Sequence, residues 1–297
     1  MNPTLSWNLA SDVEQLFTYP FMVSALEAGT LVAVIAALVG WFMVLRGQSF
    51  AGHTLSVMAF PGAAGAALAG VPLALGYYAA CTAAALAMSR ARRRGGRARG
   101  GESAAIGTLQ ATGLAIGFLL LSLYKGVLGG LESLLFGSFL GVSPDQVLTL
   151  LIVAAVVLAV LALVGRPLLF ASIDPEVAGA RGVPVRLLST GFLLLLGLVV
   201  AATSQITGAL LVFALLVTPA ASAQALTRRP ALSLALTVLL ALLTTWLGLG
   251  IAYYSPYPVG FWITSVAFAL YLLAQLVRLA GERAGRRVDG RAVAVQS

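Results

Sequence analysis

The sequence predicts an all-α polytopic membrane protein, and three observations carry that prediction. Apolar residues make up 60% of the 297 and charged residues only 9%, against about a quarter charged in a soluble domain. Apolar stretches recur from residue 21 to residue 280, each of about twenty residues, enough to cross a hydrocarbon core of about 30 Å. The basic residues fall almost entirely in alternate gaps between those stretches, the bias that orients helices in a membrane.

Residues 1–20, MNPTLSWNLASDVEQLFTYP, lack a positive start and carry Asp12 and Glu14 where a signal peptide is apolar. They are expected to be an extracytoplasmic segment. Spans are expected at about 21–45, 50–70, 72–89, 103–124, 147–166, 187–204, 206–226, 231–253 and 258–280. With the N-terminus outside, the inner segments are 46–49, 90–102, 167–186, 227–230 and the tail from 281. Of the 18 basic residues, only Lys125 then lies on the outer side, as the positive-inside rule requires. Residues 125–146 are too polar and Gly-rich for a simple span. They suit either a short outer helix or a re-entrant one, so the expected eight or nine transmembrane helices leave ten open. The tail 281–297 is expected to be cytoplasmic, basic and disordered.

Two connecting segments carry more chemistry than a connector needs. The arginine cluster at 90–99 suits a topology anchor or a contact with anionic membrane lipid; inside a polytopic membrane chain it does not point to nucleic acid. Residues 166–186, RPLLFASIDPEVAGARGVPVR, hold helix-start signals: Asp174 as N-cap, Pro175 at the first helical position and Glu176 in the first turn. Gly182 is placed to end a helix of about two turns there. A short capped helix at the inner face looks built to be gripped by a partner.

The absences are equally informative. Cys81 is the sole cysteine and His53 the sole histidine, which excludes an intrachain disulfide and a zinc hydrolase site, since the latter needs about three protein ligands. No phosphate-binding loop surrounds the one lysine, Lys125. The chain is therefore not expected to be an enzyme or to hold a cofactor, and active transport through it would draw its energy from elsewhere. The ionisable residues at membrane depth are Glu27, His53, Glu102, Lys125 and Glu132. Such groups are costly in hydrocarbon and face a cavity or an interface. Glu27 suits either the headgroup level or the outer mouth of a cation path, and Glu102 suits a helix N-terminus. His53 is either a packing residue or a neutral nitrogen ligand for a zinc-like ion. Two helix interiors, FPGAAGAALAG at 60–70 and TPAASAQAL at 218–226, set Pro61 and Pro219 before small residues. They are either traces of inverted repeats or independent kinked helices.

The segment from Phe21 to Ala66, containing GQSFAGHTLSVMAFPGAAGA, resembles the opening of the permease subunits of the zinc/manganese/iron class of ABC transporters, the ABC-3 type. Also similar are ESAAIG at 102–107, LESLLFGSFLGVS at 131–143, IDPEVAGARGV at 173–183 and TGALLVFALLVTPAASAQALT at 207–227. The resemblance spans residues 20 to 275 with the motifs in family order. It implies the type II ABC importer permease fold, shared with vitamin B12 and siderophore importers, over residues 21–280. It further implies a homodimer in the bacterial plasma (inner) membrane, two copies of an ATPase subunit on the inner face and an extracytoplasmic metal-binding protein outside. Residues 173–183 would be the coupling helix, with Asp174, Pro175, Glu176, Ala178, Arg181 and Gly182 at the ATPase. The expected transport path holds Glu27, His53, Ser56, Pro61 and Pro219, with His53 as the metal contact. In one place the chain departs from the family. Where members carry Gly-Asp-Ala-Leu-Ser-His, this sequence reads Gly52-His53-Thr54-Leu55-Ser56-Val57. His53 replaces the carboxylate and Val57 the imidazole. Loss of a hard oxygen ligand moves the expected cargo toward zinc, with manganese next. A metal chelate, or a stand-alone ion-coupled carrier, stays open as an alternative.

Overall fold

The computed structural model describes residues 9–95, 101–124, 137 and 139–295. Ten helices follow one another there: α1 Leu9–Thr18, α2 Pro20–Leu45, α3 Ser49–Ala69, α4 Leu73–Gly95, α5 Gly101–Leu123, α6 Pro144–Ile173, α7 Pro175–Ala180, α8 Val185–Leu226, α9 Pro230–Tyr253 and α10 Val259–Val295, with a 3₁₀ turn at Phe139–Gly141 before α6. Local chemistry sets several of the starts. Proline stands at the first turn of α2, α6 and α9, where its missing N–H costs no helical bond. At α6, the Ser143 hydroxyl accepts from the Gln146 N–H at 3.3 Å and the Gln146 side chain accepts from the Ser143 N–H at 3.0 Å, a reciprocal capping box.

α8 occupies the centre, packed against α2, α3, α4, α6, α9 and α10. Its forty-two residues contain one non-helical position, Gly208 at φ 74° and ψ 161°. Ser189 bonds to Arg46 and Gln224 to the Trp41 carbonyl. A straight helix would hold Ser189 and Gln224 about 52 Å apart, yet both bond to residues five apart on α2. The chain therefore doubles back at Gly208, and α8 is two rods, 185–207 and 209–226. The sequence reading put this boundary at residue 205. The rods are antiparallel, so α3 and 209–226 run in opposite directions, as expected from the charge pattern.

Each expected span coincides with a helical rod. Among the described residues, six helices are long and apolar enough to cross a membrane on length and composition alone. In the second rod the apolar helix Leu211–Leu226 is too short for that test, and α3 and α4 are not among the six. α3 is diluted by Gly, Ser, Thr and His53, and α4 ends in Arg90, Arg92, Arg93 and Arg94. Several polar groups inside the bundle are paired within their own helix: the Thr203, Thr207, Ser222 and Thr237 hydroxyls each donate to the carbonyl four residues back. That pairing makes a buried hydroxyl tolerable where no water reaches. Large apolar side chains are exposed along α5, α6, α9 and α10, a surface suited to lipid or a partner helix rather than to water.

Most of the weak segment, residues 125–136 and 138 with Lys125 and Glu132, lies outside the described residues. Its end does not: Phe139 is buried beside α2, and a side chain at Gly137 would lie 2.3 Å from the Thr207 carbonyl carbon. Backbone thus abuts backbone at the reversal of α8. At the other terminus, α10 stays helical to Val295 where the sequence suggested a disordered tail. The run LAGERAGRR is rich in helix formers, and an Arg278–Glu282 pair at 3.3 Å links successive turns.

Candidate functional site

Two clusters lie at the end of the bundle that carries Arg46, Arg92, Arg181 and Arg186. The first is α7. The Asp174 carboxylate accepts from the Glu176 N–H at 3.1 Å and from the Val177 N–H at 2.9 Å, so the expected N-cap forms with Pro175 in the first turn. At the far end the Gly182 N–H donates to Gly179 and the Val183 N–H to Ala178. This is a Schellman stop, and it requires the φ of 81° found at Gly182. The helix is six residues long. Ala178 is 0% exposed and seats the helix on the bundle, while Glu176, Val177 and Arg181 face outward. Val177 and Ile173 add apolar area to that outward face. The result is an exposed, rigidly capped helix with an apolar patch and charges of both signs.

The second cluster is around His53, one turn into α3. Its ring meets Phe213 of α8 edge-on, with centroids 4.7 Å apart, and its Nδ1 is buried without a partner. The Ser56 hydroxyl donates to the His53 carbonyl at 2.7 Å, which occupies the hydroxyl proton and leaves the oxygen's lone pairs. Val57, at the position of the family imidazole, is buried. Among the described residues no three His, Cys, Asp or Glu side chains group together. What this cluster offers a cation is one imidazole nitrogen, its ring against Phe213 of a facing helix, and the Ser56 hydroxyl oxygen.

The remaining expected path residues are placed unequally. Pro61 and Pro219 are buried inside α3 and α8, two packed neighbours, and the helices continue through both. Glu27 is exposed on α2, about 28 Å by helical rise from Arg46. The structure does not bring it to His53. Sequence reasoning missed two residues. Phe213 has no signature, since any aromatic in an apolar run looks alike. Arg46 was read only as an orientation charge, yet it makes two side-chain bonds at the α2–α3 turn.

The geometry agrees with comparisons to known proteins. The manganese transport system membrane protein MntC of Halalkalibacterium halodurans is 33% identical over 267 residues, 90% of each chain. The chelated iron transport system membrane protein YfeC of Yersinia pestis is 34% identical over 81% of this chain and 80% of its own. Among solved structures, PsaBC from Streptococcus pneumoniae in complex with Fab superposes with a TM-score of 0.79 at 28% identity, covering 90% of this chain and 95% of that one. The ABC 3 transport family matches residues 18–278. The chain belongs to the ABC 3 transport family.

Proposed function

We propose that this protein is the membrane-spanning permease subunit of an ATP-driven importer of a divalent first-row transition metal. The observation that carries this reading is α7: a capped six-residue helix, fixed by Ala178 and exposed at Glu176, Val177 and Arg181, has the form of a coupling element for an ATPase that the chain itself lacks. The full reading has eight or nine crossings, the arginine-bearing end and the C-terminus in the cytoplasm, and a homodimer. Two ATPase subunits serve the inner face and a metal-binding protein the outer one. The relatives named for manganese move manganese ahead of the zinc expected from the lost carboxylate. His53 serves as a low-affinity contact, since a conduit must release what it binds.

A second reading, import of a metal chelate, is favoured by one observation: the described residues contain no multi-ligand cluster to strip a chelator. Total cellular manganese, zinc and iron in a strain lacking the gene, grown metal-poor, separates the two. Under the main reading manganese falls, the wild-type gene restores it, and His53→Ala restores about a tenth of the uptake. Under the chelate reading His53→Ala restores uptake fully. If no metal falls, both readings fail.

A further inference from the structure

We infer that Arg46 is a positioning residue that joins the docking helix α7 to the His53-bearing helix α3. The inference rests on the permease reading and adds to it the part that passes motion inward. Arg46 caps the end of α2. Its Nη1 donates to the Ser172 hydroxyl at 2.9 Å and its Nη2 to the Ser189 hydroxyl at 2.8 Å. Ser172 stands two residues before the cap of α7, on the last turn of α6. Ser189 is the fifth residue of α8, nine residues past the end of α7. One guanidinium therefore grips both stems of the docking helix. Its plane also lies over Phe192 on the next turn of α8, 5.4 Å from the ring centroid.

On its other side Arg46 is bound to α3 by a stiff turn. The Gly47 N–H donates to Val44 and the Gln48 N–H to Met43, which closes α2. The Gly52 N–H then donates to the Gln48 carbonyl, which opens α3. His53 follows at the next residue. A force on α7 moves Ser172 and Ser189, and through the two charge-assisted bonds it moves the base of α3. The guanidinium is half-buried, and a bond sheltered in this way is stronger than one in open water. A lysine cannot copy the arrangement, because a single ammonium lacks the planar two-pronged geometry.

The test uses the full transporter in liposomes, with manganese(II) and zinc(II) as probes. It measures metal carried per ATP hydrolysed and co-purification of the ATPase. Arg46→Ala is expected to keep co-purification and hydrolysis within twofold of wild type, while metal per ATP falls at least tenfold. Arg46→Lys recovers only part of that ratio. Ser172→Ala with Ser189→Ala, which leaves Arg46 in place, gives the same loss and adds nothing to Arg46→Ala. If Arg46→Ala fails to reach the membrane, the serine pair decides. An unchanged ratio in the serine pair overturns the inference while the permease reading stands. A wild-type transporter that carries neither metal overturns both.

Discussion

Pro61 in α3 and Pro219 in α8 introduce the same kind of sequence, a proline followed by small residues, but their surroundings are built differently. α3 is shaped by contact. A side chain on Gly62 would lie 2.3 Å from the Gly76 carbonyl oxygen of α4, and one on Gly117 of α5 would meet Phe60 at 2.7 Å. Rod 209–226 owes its close approach to its partner, since it is Gly40 of α2 whose side chain would lie 2.1 Å from the Leu216 carbonyl oxygen. Its direction comes from backbone conformation at Gly208. Neither proline breaks its helix. Small residues set the spacing between helices in a membrane; a single glycine in a conformation closed to other residues sets where the chain reverses.

The contrast can be broken at its strongest point first. Gly62→Val drives a branched side chain into a facing backbone, and is expected to cost about 3 kcal/mol. Thermal unfolding of the detergent-solubilised protein should show the largest loss of stability of any change named here. Gly208→Ala places a β-carbon at φ 74° and ψ 161°, a cost of about 2 kcal/mol. If it unfolds at the wild-type temperature, the reversal is not held by that residue. Pro61→Ala and Pro219→Ala sharpen the comparison from below. Each regains a backbone bond and loses ring contacts, so the net change should be under about 1 kcal/mol. A large loss in one alone would make that proline a shape-setting residue after all.

The legibility of the sequence follows the same division. α7 was readable because its signals are local: Asp174, Pro175, Glu176 and Gly182 each act within a few residues, and each took its expected place. The helical rods were readable for the same reason, since each expected apolar stretch is continuous in the sequence. The reversal at Gly208 was not. The chain has 32 glycines, many of the described ones at helix contacts, and the special one is picked out by the backbone of Gly137 pressing on it from a distant segment. The candidate site divides likewise. A lone histidine on an apolar helix was visible at once, but its ring partner Phe213 and the two serines on Arg46 are far away in sequence. Glu27 lies toward the end of α2 away from Arg46, the place its position early in that span led to.

The most direct measurement of the central claim is co-purification of the ATPase subunit with this protein and its Glu176→Arg variant, solubilised from the same membranes. Glu176 is exposed on α7 and holds nothing in the bundle, so the variant should reach the membrane at the wild-type level. The account predicts that the ATPase is recovered with wild type, that its recovery falls at least tenfold with the variant, and that metal uptake falls with it. Equal recovery and equal uptake in the two would contradict α7 as the coupling element.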